Sequence, residues 1–136
     1  MKRLAILLGV AAVISAEIAA FAVAQESPAP PGALVGDADA GAEIYGAECR
    51  GCHAVSIAPT LRGLIGRPIA SVAAFDGYSD GLKSRSGDTW TEANVDLFLA
   101  APGTFAPGTL MTKTIADPQQ RADIIAYIAS LPPPRQ

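Results

Sequence analysis

The chain has 136 residues, among them 13 glycines and 11 prolines, enough for one small domain with little core to spare. Its formal charge is −3, and −4 once residues 1–24 are set aside. That balance excludes a nucleic-acid partner, which would require a concentrated basic face.

Lys2 and Arg3 precede an apolar run from Leu4 to about Ala24 that closes on Ala22-Val23-Ala24. A charged start, an apolar middle and an A-x-A ending define a secretory signal peptide over residues 1–24. The rival is an uncleaved membrane anchor, since the run is close to the ~20 residues that span a bilayer. Ser15 and Glu17 oppose the anchor, because a carboxylate at mid-membrane costs about 2.5–3.5 kcal/mol on insertion scales. Either reading exports the domain to the periplasm, free or tethered to the inner membrane through residues 4–24. Residues 25–36, with Pro28, Pro30 and Pro31, read as an exposed, semi-extended linker.

The domain is expected over residues 37–132, followed by a short tail, 133–136. Asp37 is placed to cap a first helix from Ala38 to Glu48, with Ile44 and Tyr45 on its apolar stripe and Gly41 free for close approach by another helix. The helix delivers the chain into Cys49-Arg50-Gly51-Cys52-His53, which holds both cysteines and the only histidine. This is the sequence form of covalent haem c attachment. On one helical turn Cys49 and Cys52 project from the same side, so each can add to one porphyrin vinyl group, and His53 falls on that side too. The alternatives are poorer. A thioredoxin-like dithiol has no use for His53 and wants a βαβ pattern, which is missing. Structural zinc wants four ligands, usually cysteine and histidine. Blue copper needs two histidines, and a disulfide would close too small a loop to stabilise much.

From Ala54 to Asp88 the chain is rich in glycine, proline and serine. It is too long for an unsupported loop in so small a domain, and makes sense as loops wrapped around a bound group. The carbonyl of Pro59 can accept the second ring N–H of His53, although by itself Pro59 reads as an ordinary turn residue. Thr89-Trp90-Thr91-Glu92 fits a capping box, with Thr89 as cap and Glu92 reaching back. It opens a helix that shows Val95, Phe98 and Leu99 on one face and stops at Pro102-Gly103. Residues 105–111 form a turn carrying Met111. The final helix opens with Asp117 as cap and Pro118 at its first position. It is apolar through Ile124, Ile125, Tyr127, Ile128 and Leu131, and ends at Pro132-Pro133-Pro134.

Together these segments resemble a class I c-type cytochrome, closest in pattern to the mitochondrial-like branch, over about 39–131. The matching pieces are Gly41 and Tyr45, the Cys49–His53 motif, the run Pro59-Thr60-Leu61-Arg62-Gly63-Leu64-Ile65-Gly66-Arg67, Phe75, Tyr78, Trp90, Leu99, Pro102, the Pro107–Met111 turn, and Arg121 to Tyr127. The resemblance implies an all-α fold of about three main helices and long loops around one covalently bound haem, acting as a one-electron carrier between redox protein partners and not as an enzyme. It implies iron ligation by His53 and Met111, with Pro59 orienting His53. Arg67, Tyr78 and Trp90 match positions that contact haem propionates, and Gly41 and Tyr127 match the crossing of the first and last helices. Elimination agrees on Met111, because the only other methionine is Met1. Taken singly, Trp90 reads as a core aromatic and Arg67 as a solvated charge. An electron-transfer subunit of a larger dehydrogenase or oxidase would show the same haem site. A peroxidase or gas sensor would need an open iron position, which Met111 would occupy.

The chain departs from that pattern in four places. Only five residues separate His53 from Pro59. Phe98 stands where a tyrosine often lies near the methionine sulfur, and Leu82 where an asparagine is common. The lysine-rich docking face of mitochondrial members is missing.

Overall fold

The computed structural model describes residues 34–135. The expected signal or anchor segment 1–24 and most of the linker lie outside the described residues. Within them the elements are α1 (Ala38–Glu48), α2 (Arg50–His53), α3 (Asp80–Lys83), α4 (Glu92–Ala100), α5 (Pro102–Phe105) and α6 (Pro118–Ser130). There is no strand among the described residues, only an isolated antiparallel bridge between Pro68 and Thr89.

The frame is the crossing of α1 and α6. Both helices start on an aspartate whose carboxylate satisfies orphan backbone donors: Asp37 accepts from the N–H groups of Asp39 and Ala40, and Asp117 from those of Gln119 and Gln120. Gly41 lets the two backbones touch, since a Cβ there would overlap the Asp123 carbonyl oxygen and lie 2.9 Å from Tyr127 Cβ. Beside the contact, the rings of Tyr45 and Tyr127 pack 5.1 Å apart, tilted at 51°. Backbone overlap has no rotamer to relieve it, so Gly41→Ala should cost about 2 kcal/mol, within the range for overpacking. Chemical denaturation of the holoprotein checks this: a lowered midpoint is expected, and an unchanged one would mean that the helices can part at no cost.

Asp123, on the same contact, was not singled out by the sequence. It is a buried carboxylate that accepts from the Asp37 N–H at 2.8 Å and from Gln119 Nε2 at 2.8 Å. Gln119 also donates to the Val35 carbonyl, and Gly36 packs on Ala122 so closely that a Cβ would overlap its carbonyl. The last residues of the expected linker are therefore docked on α6, although the side chains of Leu34 and Val35 remain exposed.

The expected capping box at Thr89 is displaced. The α4 cap is Thr91, whose hydroxyl accepts from the Asn94 N–H. Thr89 and Trp90 are unavailable because their backbone pairs with another segment: Trp90 N–H donates to the Arg67 carbonyl and Gly66 N–H to the Trp90 carbonyl, both at 2.9 Å. Extended pairing and helix initiation need different backbone angles, and the pairing prevails. Pro102 ends α4 as expected, but it also starts α5, at the first-turn position where its missing N–H costs nothing. The long segment after His53 holds one further short helix, α3, capped by Ser79.

Leu64, Ile69, Leu82, Trp90, Val95, Leu99, Ile115, Ile124, Ile125 and Ile128 form the buried core. Around its margin lie Leu61, Ile65, Tyr78, Phe98, Phe105 and Met111, only partly buried.

Candidate haem site

Cys49 lies between α1 and α2 and caps both; its N–H donates to the Tyr45 carbonyl, and its carbonyl accepts from Cys52 and His53. The short turn thus puts both cysteines and the histidine on one continuous helical path. Cys49 is buried, Cys52 is exposed, and the two are not joined to each other. Burial, and behind it the Glu48 carboxylate, pushes the Cys49 thiol up, while Lys113 opposes.

His53 Nδ1 lies 2.7 Å from the Pro59 carbonyl oxygen. A carbonyl only accepts, so Nδ1 carries the proton and Nε2 is left with a free lone pair. Burial holds the imidazole below its ordinary pKa, with the Pro59 bond opposing. At neutral pH the ring is therefore uncharged, the form that can bind a metal. The five-residue connection is closed on itself by a bond from the Ala58 N–H to the Cys52 carbonyl at 3.2 Å.

Arg67 is not a solvated charge. Its guanidinium donates to the Thr60 carbonyl at 2.8 Å and to the Arg62 carbonyl at 3.2 Å. Burial lowers its pKa, but an arginine stays cationic. The Tyr78 hydroxyl accepts from the Val72 N–H at 3.3 Å, and its ring meets Phe75 edge-on at 4.9 Å. Trp90 is 8% exposed, stacked on Phe105 at 5.7 Å and tilted against Phe98 at 5.3 Å. Phe98 thus joins an aromatic trio in place of offering a hydroxyl, and Leu82 is a buried apolar side chain in the core.

Met111 follows a tight turn in which the Thr109 N–H donates to the Ala106 carbonyl at 3.1 Å and Gly108 has φ +77°. This segment rests on α3: a Cβ on Gly81 would overlap the Pro107 carbonyl oxygen and lie 2.8 Å from the Ala106 carbonyl carbon. That contact is the packing role the sequence did not disclose for Gly81.

The donor set fits a covalently held haem. Two unpaired cysteines share a turn, a neutral histidine has one nitrogen tied and one free, and a half-buried thioether lies on a loop at the core margin. No group of three or more His, Cys, Asp or Glu that could hold a metal ion occurs among the described residues.

A small all-α domain built around such a turn defines the class of single-haem c-type electron-transfer proteins. The family model described as Cytochrome c matches residues 38–132, and the chain belongs to that family. It is 36% identical over 107 residues to cytochrome c-type cyt cy of Rhodobacter capsulatus, a match covering 75% of this chain and 53%, about half, of that relative. It is 42% identical over 101 residues to cytochrome c of Tetrahymena pyriformis, covering 71% of this chain and 90% of the relative. Among solved structures, cytochrome cH from Methylobacterium extorquens superposes with a TM-score of 0.60 at 40% identity, over 70% of this chain and 99% of the other. The chain is therefore a haem c electron carrier that works with redox partners, and not an enzyme.

Proposed function

We propose that the protein is an exported one-electron shuttle whose single haem c is held by thioethers from Cys49 and Cys52 and ligated by His53 and Met111. The observation that carries the His53 assignment is the 2.7 Å bond between His53 Nδ1 and the Pro59 carbonyl, which leaves Nε2 as the donor and makes the ring a stronger ligand; Met111 is assigned because the only other methionine is Met1 and no second histidine exists. When bound, the haem supplies an iron that alternates between ferrous and ferric states. The chain's part is to keep that change cheap. Pro59 fixes the orientation of His53, and the Met111 thioether favours the ferrous state. We assign Arg67, Tyr78 and Trp90 to the propionates, whose burial needs cationic or hydrogen-bonding partners.

Export rests on residues 1–24. The supporting pattern is the charged start, apolar run and A-x-A ending, and we place the mature protein in the periplasm. No helix among the described residues is long and apolar enough to cross a membrane.

A potentiometric titration of the native holoprotein, with fractionation of the producing cells, tests this reading. The expected result is a reversible one-electron wave from a low-spin haem in the soluble periplasmic fraction. Recovery in membranes alone, with 1–24 intact, would make it a tethered carrier. A high-spin ferric haem would remove Met111 as ligand.

A further inference from the structure

The segments assigned to the two sides of the haem are tied together by one ion pair. Lys113 Nζ meets Glu48 Oε2, with side chains 48% and 39% exposed. Glu48 is the last residue of α1, immediately before Cys49; Lys113 lies two residues beyond Met111. Both charges act on the Cys49 thiol, so the pair sits beside the attachment turn.

Met111's own loop has few other ties. The Thr109 N–H bonds within the turn, and the Met111 N–H donates to the neighbouring Thr109 hydroxyl at 3.3 Å. The next backbone anchor beyond is the Ile115 N–H on the Leu99 carbonyl at 2.9 Å. Among the described residues, the polar link from 107–114 to the rest of the chain is the Lys113–Glu48 pair, supplemented by the packing of Pro107 on Gly81. A loop held this thinly opens more readily than the helices around it.

We propose that Glu48 and Lys113 are positioning residues: their ion pair straps the Met111 loop to the Cys49 end of α1 and so sets how often Met111 leaves the iron. This rests on the assignment of Met111 as ligand. Release of the strap costs the closed state the pair's Coulomb attraction, which is modest because both groups touch water and are screened by salt. The sequence separation of the partners explains why one contact matters: it crosses between two segments that no helix joins.

The probe is imidazole, which binds the ferric iron only after Met111 has left, so its apparent affinity reads the open fraction of the loop. The holoprotein is titrated at pH 7 and low ionic strength, following loss of the far-red iron–sulfur band. Glu48→Gln and Lys113→Gln should each tighten imidazole binding by about two- to fivefold, the range for a half-exposed pair. The double variant should show no more than either single one, and the charge swap Glu48→Lys with Lys113→Glu should return toward wild type. Salt should bring the wild type up to the variants while moving the variants little. A merely structural effect of either residue would survive salt and add in the double variant. Additive effects, or wild-type affinity in both single variants, would overturn the strap. A wild-type ferric protein without the far-red band would instead overturn the ligand assignment, which is read first and separately.

Discussion

Met111→Ala should abolish the far-red iron–sulfur band of the ferric protein and lower its reduction potential by roughly 0.1–0.3 V, a fraction of the ~0.8 V over which axial ligands set haem potentials. The thioether stabilises the ferrous state, so its loss favours the ferric one. The chain has no replacement of the same kind. His53 is the only histidine, and the other methionine is Met1. Because Met111 is only partly buried at the core margin, truncation should leave the fold largely intact, so that the change in potential reports on ligation. An unchanged band and potential would show that Met111 is not a ligand.

Replacing the cysteines should have the second large effect, and an unequal one. Cys49→Ser and Cys52→Ser each remove one thioether, and together they should leave a haem that acid-acetone extracts completely. Cys49 is 8% exposed, so a serine there also buries a hydroxyl, at a cost of about 1–3 kcal/mol if it finds no partner. Cys52 is exposed, and a serine there costs no such burial. Recovery of mature holoprotein should therefore fall further for Cys49→Ser than for Cys52→Ser. Pigment yield on denaturing gels checks the order, and equal loss would mean that attachment alone, and not burial, governs maturation.

The sequence made the site legible where its chemistry is local. Cys49, Cys52 and His53 are read from spacing alone, and the caps Asp37 and Asp117 act on N–H groups two and three residues away. It misled where distant backbone competes for the same groups. Thr89 fits a cap by composition, yet the strand-like pairing of Trp90 with Arg67 pushes helix initiation to Thr91. Arg67 reads as a surface charge on its own, because its acceptors are carbonyls that only the folded loop brings within reach. Asp123 is silent in the sequence, since a carboxylate on an apolar helix face carries no signal without its partners, Asp37 and Gln119. The four-residue helices α3 and α5 are too short for periodicity to register. The Glu48–Lys113 pair spans most of the domain in sequence, and no local pattern announces it.

The most direct test of the account is the intact mass of the mature protein from the producing cell, measured after acid-acetone extraction. The predicted result is a chain beginning near Gln25 and carrying one haem that extraction does not remove. A mass equal to the bare polypeptide, with the haem in the organic phase, would contradict it.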